Sequence, residues 1–513
     1  MKQNILLFIF LVFCFSFTQI VNAQGIIKDD FLVNDDTVTV DHHNPDVMMN
    51  NSGDFIITWN DERDGWDNWD VFFQRYNANG NQIGVNVRVN NDVTILPQVD
   101  PTIAMNDAGN FVIAWEDERI SVGRDIYMQR FDSNGNPVGS NTLVNEATGS
   151  AQRDPEIGMD DNGNFVVAWR DHRTSGDRDI YFQLFDSGGN KIGPNVKAND
   201  DSGSAHQEKP SIAMDANGSF VIVWEDFRDG NVFHVYLQRY DSNGNPLGSN
   251  IRVDDDPGNS STTSIAFDVL GNFVVVWVDQ RSGYNIYFQM YDNNGNAIGS
   301  NTKISDDIGN TGHGWPSIST IQNGDFIVTW MSYIDLNYPD VEAQRYFANG
   351  NPNGGNYLVV NDGPNKIESV PQVAANSTQI AFAWTDNRRT FGRFDTFGKL
   401  VNWNWNGVTD VEIIDDNIPK EFSLSQNYPN PFNPGTTIRF TIPSVTLDGV
   451  EGSLITLKIY DILGNEVAIL LNEEKPAGEY EIDFDAFGLT SGVYFYQLKA
   501  GSFIETKKMV LLR

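Results

Sequence analysis

One short pattern governs what this chain can fold into. Asp54-Phe55-Ile56-Ile57-Thr58-Trp59 recurs at residues 110–115, 164–169, 219–224, 272–277 and 325–330, and a degenerate seventh copy ends at Trp384. The Trp-to-Trp spacings are 56, 54, 55, 53, 53 and 54. Self-similarity at a fixed period marks a repeat architecture, and this period is too long for a solenoid rung. Each repeat reads as four short strands, A to D. In the second copy strand A is Pro101 to Met105, B is Asn110 to Trp115, C is Asp125 to Phe131 and D runs from about Pro137 to Val144. Gly, Asn and Asp fill the turns between them, where left-handed backbone is needed. Strand B is apolar at consecutive positions, as expected when both sheet faces are buried. Four-stranded sheets repeated seven times and covered on both faces predict an all-β, seven-bladed β-propeller.

The ends of the repeat region predict how the ring closes. Phe31-Leu32-Val33-Asn34-Asp35 matches the end of strand D elsewhere, such as Val87 to Asn91, yet it precedes the first strand A. The seventh repeat has A and B, a shortened C through Arg393-Phe394-Asp395, and no recognisable D. Leu400-Val401-Asn402 only weakly mimics a strand D. The N-terminal segment is therefore expected to complete the last blade as its outer strand, which removes an open sheet edge.

Residues 1–23 read as a secretory signal peptide. Lys2 is the only charge there, Ile5 to Phe17 is an apolar run, and Val21-Asn22-Ala23 sets up cleavage before Gln24. Cys14, the only cysteine, lies in that run, and the bulk of Phe13 argues against its lipidation. The organisation expected is signal peptide 1–23, propeller 24–408, linker 409–420 and a separate small β-sandwich over 421–513.

Five blocks in that last segment carry a family resemblance. They are Tyr428-Pro429-Asn430-Pro431-Phe432-Asn433-Pro434, Thr437 to Phe440, Ile459-Tyr460-Asp461-Ile462-Leu463-Gly464, Ser491 to Tyr496 and Lys507 to Leu511. In this order they resemble the C-terminal sorting domain of type IX secretion substrates. The resemblance implies an immunoglobulin-like sandwich that engages the type IX machinery and directs export across the outer membrane. It implies a Gram-negative bacterium of the Bacteroidetes type, and in that family the domain is commonly removed as the cargo is anchored or released. It says nothing of what the cargo does.

Charge narrows the partners. Lys plus Arg number 34 against 69 Asp plus Glu, a formal charge of −35. Such a surface repels phosphate backbones, so nucleic acid is excluded as a partner. A secreted or cell-surface monomer that binds a glycan or another extracellular polymer is expected. A glycan-degrading enzyme on the same scaffold and a structural or protein-interaction platform stand as alternatives.

No nucleophile elbow, phosphate loop or zinc-hydrolase helix is present. The regular Trp-x-Asp-x-Arg motif, as in Asp61/Arg63 or Asp117/Arg119, reads chiefly as loop chemistry, with Arg expected to pair with the Asp that opens strand C, such as Asp70. The six histidines are expected as exposed residues on one face. No metal site and no cofactor is predicted, beyond weak calcium uptake by surface carboxylates. The informative residues break the symmetry. On the face of the B–C and D–A loops stand Trp66, Trp69, Tyr284, Tyr333 and Trp315, with Arg63, Asp67 and Asp70 nearby. Aromatic faces beside hydroxyl-binding polar groups suit a sugar, so these eight are the candidate ligand-binding residues. No catalytic residue is assigned.

Overall fold

In a computed structural model the described residues are 25–405 and 422–512, apart from 37–39, 66–67, 120–122, 147–148, 174–176, 305–311, 336–337, 361–365, 390–392, 443–453, 475–477 and 501–502. The expected signal peptide, Cys14 and the 409–420 linker lie outside them. The chain divides into two compact units, one ending at Val408 and one beginning at Thr409.

The first unit is all-β and propeller-like, with seven four-stranded antiparallel sheets. In the first sheet strands A to D are His42–Met49, Phe55–Asp61, Asp70–Tyr76 and Gln82–Arg88. Strand B is buried along its whole length there, as its unbroken apolar run requires. The recurring Trp is fully buried in all seven sheets. Aromatic pairs between B and C stack, as Phe55 does on Tyr76 at 4.7 Å and Phe111 on Phe131 at 4.8 Å. Strand C of one sheet then presses an aromatic edge into the pair of the next, as Phe73 does at 5.2 Å from Phe111. The core is thus a series of apolar layers between neighbouring sheets.

Strand A breaks register at the same place in every sheet. The residue at each break is left-handed: Asn44, Asp100, Asp154, Lys209, Thr262, Trp315 and Val370, with φ between 44° and 54°. Proline follows in six of the seven, from Pro45 to Pro371, and Thr263 in the fifth. Proline has no N–H to give the ladder, so a bulge absorbs the missing bond. Each strand A packs against strand A of the next sheet, and Glu368–Ala375 of the seventh packs against His42–Met49 of the first.

The seventh sheet corrects two expectations. Its order is Ile26–Leu32, Asp395–Asn402, Gln379–Asp386, Glu368–Ala375. The N-terminal segment does pair with strand C, with Phe31 opposite Gly398 and Leu32 opposite Phe397, but it begins pairing at Ile26. Strand C is full length and begins, rather than ends, at Asp395. Leu400-Val401-Asn402 belongs to it and mimics no strand D. Leu400 and Val401 are fully buried, a demand that an outer strand would not make.

The second unit has two antiparallel sheets. Gly435–Ile442 lies between Ser423–Leu424 and Gly478–Asp485, and the other runs Glu466–Glu474, Leu454–Tyr460, Gly492–Ala500, Phe503–Leu511. Ile438, Phe440, Ile455, Leu457, Tyr496 and Leu498 form one core between them. The Tyr496 hydroxyl accepts from Asn427 N at 2.8 Å and donates to Ser425 O at 2.7 Å.

Candidate functional site

The repeated polar motif is a structural clamp. In the second sheet Trp115 Nε1 donates to Asp117 Oδ2 at 2.8 Å, and Arg119 closes on both oxygens of that carboxylate at 2.8 and 2.6 Å. The guanidinium lies 4.1 Å above the Tyr127 ring. The first sheet repeats this with Trp59, Asp61, Arg63 and Phe72, where Arg63 also reaches Asp35 at 2.9 Å. Arg therefore pairs with the Asp two residues before it, and the expected partner is corrected. Asp70 instead accepts from Asn90 at 2.6 Å and pairs with Arg88 at 2.5 Å, fully buried. In the sixth sheet, where the motif is lost, Trp330 Nε1 donates to Glu342 at 3.0 Å.

The expected exposed histidines are also corrected. His42 and His313 are buried, because each begins a strand A instead of sitting in a loop, and His234, at the expected start of a strand C, is buried as well. His42 holds the position that Gln98, Gln152 and Gln207 hold in the next three sheets. Its Nε2 is 3.0 Å from Asp36 and 3.5 Å from Asp61. Burial opposes its charge, but the hydrogen bonds to Asp36 and Asp395 prevail and raise its pKa to about 9. Asp36 is held down at about 2, against burial, by His42 and Asn34. Asp36, His42 and Asp61 are close enough to share a metal ion. The carboxylate of Asp61 is already taken by Trp59 and Arg63, and a protonated imidazole supplies the positive charge, so these residues fit a metal poorly.

A different place gathers the symmetry-breaking chemistry. A cavity of about 340 Å³ is lined by all seven strands A at their bulges. Each bulge points its left-handed residue toward this cavity, and the seven are chemically unlike: Asn, Asp, Asp, Lys, Thr, Trp and Val. The residue after the core Trp caps some of them from behind. Asn60 accepts from Asp100 N at 3.0 Å, Glu116 from Asp154 N at 2.7 Å and Glu225 from Thr262 N at 2.7 Å. One layer deeper stand Asp46, Thr102, Glu156, Ser211, Ser264 and Gln372.

The acids cluster on the side of the first three sheets. Burial pushes the Asp46 carboxyl up to about 6, although Ile103 N and Val47 N donate to it. Burial, with the charges of Asp46 and Asp154, pushes Glu156 well above the usual range. Asp100 is raised by burial and by the charge of Asp154. Glu116 is raised to about 7 by burial and by the charge of Asp100. Arg124 pairs with Glu116 at 2.6 Å, and Arg170 with Asp154 at 3.0 Å. Across the cavity, on the sixth sheet, Trp315 is 49% exposed. A bulky residue at φ 47° carries backbone strain, and such outliers concentrate at ligand sites.

The eight candidate residues scatter. Trp66 and Asp67 lie outside the described residues. Trp69 is half-buried, its ring 5.7 Å from that of His43. Arg63 and Asp70 are engaged as above. Tyr284 is exposed and Tyr333 half-buried, and their backbones tie to the start of strand A in the sixth sheet: His313 N donates to Tyr284 O at 3.0 Å and Tyr333 N to Gly312 O at 2.9 Å. Trp315, two residues on from His313, lines the cavity, whereas Tyr284 and Tyr333 do not. The cavity carboxylates Asp46, Asp100, Asp154 and Glu156 are functional candidates that sequence reasoning missed. The repeated X-Pro step in strand A was the available signal.

Residues 426–512 match the secretion system C-terminal sorting domain family. This is a sorting domain, and it directs the protein by type IX secretion to the cell surface or the extracellular space. No match among curated protein sequences was found. Solved structures similar to the chain include a protein of unknown function from Dyadobacter fermentans, at 10% identity and TM-score 0.43, covering 74% of this chain and 99% of that one. A polysaccharide lyase described as a PL25 ulvan lyase bound to -[GlcA(1-4)Rha3S]- is similar at 11% identity and TM-score 0.46, covering 75% and 97%. The GH93 α-L-arabinofuranosidase of Fusarium graminearum with arabinobiose is similar at 12% and 0.44, covering 73% and 97%. Likeness at this level assigns no activity.

Proposed function

We propose that this exported chain is a closed seven-bladed β-propeller that binds a neutral or cationic extracellular glycan at the mouth of the cavity between its strands A. Closure is supported by the packing of Glu368–Ala375 on His42–Met49 and by the N-terminal strand in the seventh sheet. The observation that carries the ligand reading is Trp315, a strained and exposed aromatic facing a cavity rimmed by Asn44, Asp100, Asp154, Lys209 and Thr262. An indole face takes the apolar face of a sugar ring, and the rim groups take its hydroxyls. The acidic surface disfavours polyanions.

Trp315→Asn tests this. Asn44 occupies the equivalent bulge in the first sheet, so the variant should fold and melt at or above the wild-type temperature. Its affinity for a retained polysaccharide should fall by about 2 kcal/mol, roughly thirtyfold in Kd. Unchanged affinity would remove Trp315 from the site. A second reading, a glycan-degrading enzyme, is favoured by one observation: Asp46 and Glu156 line the cavity with raised pKa values, which suits a general acid. A panel of polysaccharides, scored both for retention and for release of reducing ends, separates binding from turnover.

A further inference from the structure

The sorting domain contains a turn whose backbone needs no apolar residues and yet carries two. Asp461-Ile462-Leu463-Gly464-Asn465 has the bonding of Asp132-Ser133-Asn134-Gly135-Asn136 in the second sheet. In both, Asp Oδ1 accepts from the residues two and four ahead, at 2.8 and 2.9 Å in one and 2.9 and 2.8 Å in the other. In both, Gly N donates back to the Asp carbonyl, and the Gly φ is 83° and 81°. Asp, Gly and Asn make the turn, and the two residues between face solvent. Two further copies carry Ser242-Asn243 and Asn293-Asn294 there. In the sorting domain the two are Ile462 and Leu463, exposed by 69% and 82%.

The strand that follows extends the apolar surface. Glu466–Glu474 is an outer strand, and among the described residues it pairs only with Leu454–Tyr460. Ala468 and Leu470 turn into the core, while Val467 and Ile469 stand outward and exposed. An unpaired edge beside exposed apolar side chains is a ready place for another chain to add a strand. The opposite outer strand is less open: Phe432 N donates to Val510 O at 2.9 Å, and Asn430 accepts from Val510 N at 2.9 Å.

We propose that Ile462, Leu463, Val467 and Ile469, with the edge of Glu466–Glu474 that no described strand covers, form the surface by which a protein of the type IX export machinery grips this domain. The occupant is a protein offering an apolar pocket for the turn and a backbone edge for the strand. The patch lies wholly within residues 426–512, the segment whose role is to be recognised during export, and joins its apolar turn to an outer strand with exposed apolar side chains, whereas the like turn at Val269 and Leu270 leads into a strand paired on both sides. This inference is independent of the glycan reading.

The test uses the full chain in a host with a working type IX system. Ile462→Ser with Leu463→Asn copies the second-sheet turn and should leave the melting temperature unchanged. Most of the protein should then be lost from the cell surface and accumulate in the periplasm. Val269→Ser with Leu270→Asn alters an equally exposed apolar pair in a like turn of the fifth sheet and should be displayed normally. Normal display of the first variant, or equal loss from both, overturns the proposal. So does a first variant that is displayed normally but no longer self-associates, which would give the patch to a second copy. If the first variant melts lower, Ile469→Thr decides, since it leaves the turn intact: retained export overturns, lost export supports.

Discussion

His42 shows how much one residue can change inside a repeat. Three sheets use a neutral glutamine at this position, and the first uses an imidazolium among three carboxylates. Its pKa is raised from an ordinary value near 6.5 to about 9. The stability this adds is fully present below pH 6.5 and is lost as pH rises through 9. Its size is at most about 3 kcal/mol, counted once for the His42–Asp36 pair. His42→Gln should therefore lower the urea midpoint near pH 6 and converge with wild type by about pH 9.5. The difference between the two proteins is the reading, because the raised cavity carboxylates add their own loss of stability as pH rises. Equal midpoints throughout would show that the imidazole is neutral. The position was legible in sequence as adjacent histidines, but its burial was not. Residue 42 looks like loop until strand A is known to begin there.

Between neighbouring sheets the contact that matters is a long side chain laid across a glycine turn. Arg75 of the first sheet donates to Ser133 O at 2.7 Å and to Asn134 O in the second. Arg130 and Arg239 repeat this onto the third and fifth sheets. Gly135 at φ 81° lets the guanidinium in, since a Cβ there would lie 3.0 Å from Arg75 Cδ. Gly139, at φ 80°, has nothing within 4 Å of such a Cβ. Gly139→Ala should cost only the backbone strain, and Gly135→Ala more than that by at least about 1 kcal/mol in thermal or urea unfolding. Equal costs would mean the arginine simply moves aside. Strands A to D were readable because each turn announces itself with Gly and Asn and strand B with its apolar run. Strand C of the seventh sheet was misplaced because its Gly398 resembles a turn. There Gly398 instead leaves room for Phe31, whose ring a Cβ would approach to 2.7 Å.

At the scale of the whole molecule, the first described strand finishes the last sheet. Phe31 and Val33 are buried in the layer between the seventh and first sheets, so removing residues 25–36 strips both a strand and part of a core. The shortened chain should lose its single sharp melting transition and aggregate, and a synthetic peptide of residues 25–36 should restore the transition. A sharp melt without the segment would show that the seventh sheet stands on three strands. The displaced D-like segment was visible in the sequence, whereas the cavity was not. Its lining comes from seven strands about 54 residues apart, and no local pattern reports which of them face one another. The same strand exchange has a mechanical side. The chain leaves the seventh sheet from Asp395–Asn402, which has a hydrogen-bonded neighbour on each flank. In every other sheet the chain departs from an outer strand, which a pull would peel away one bond at a time. A pull on the chain at this exit would instead have to shear two ladders at once.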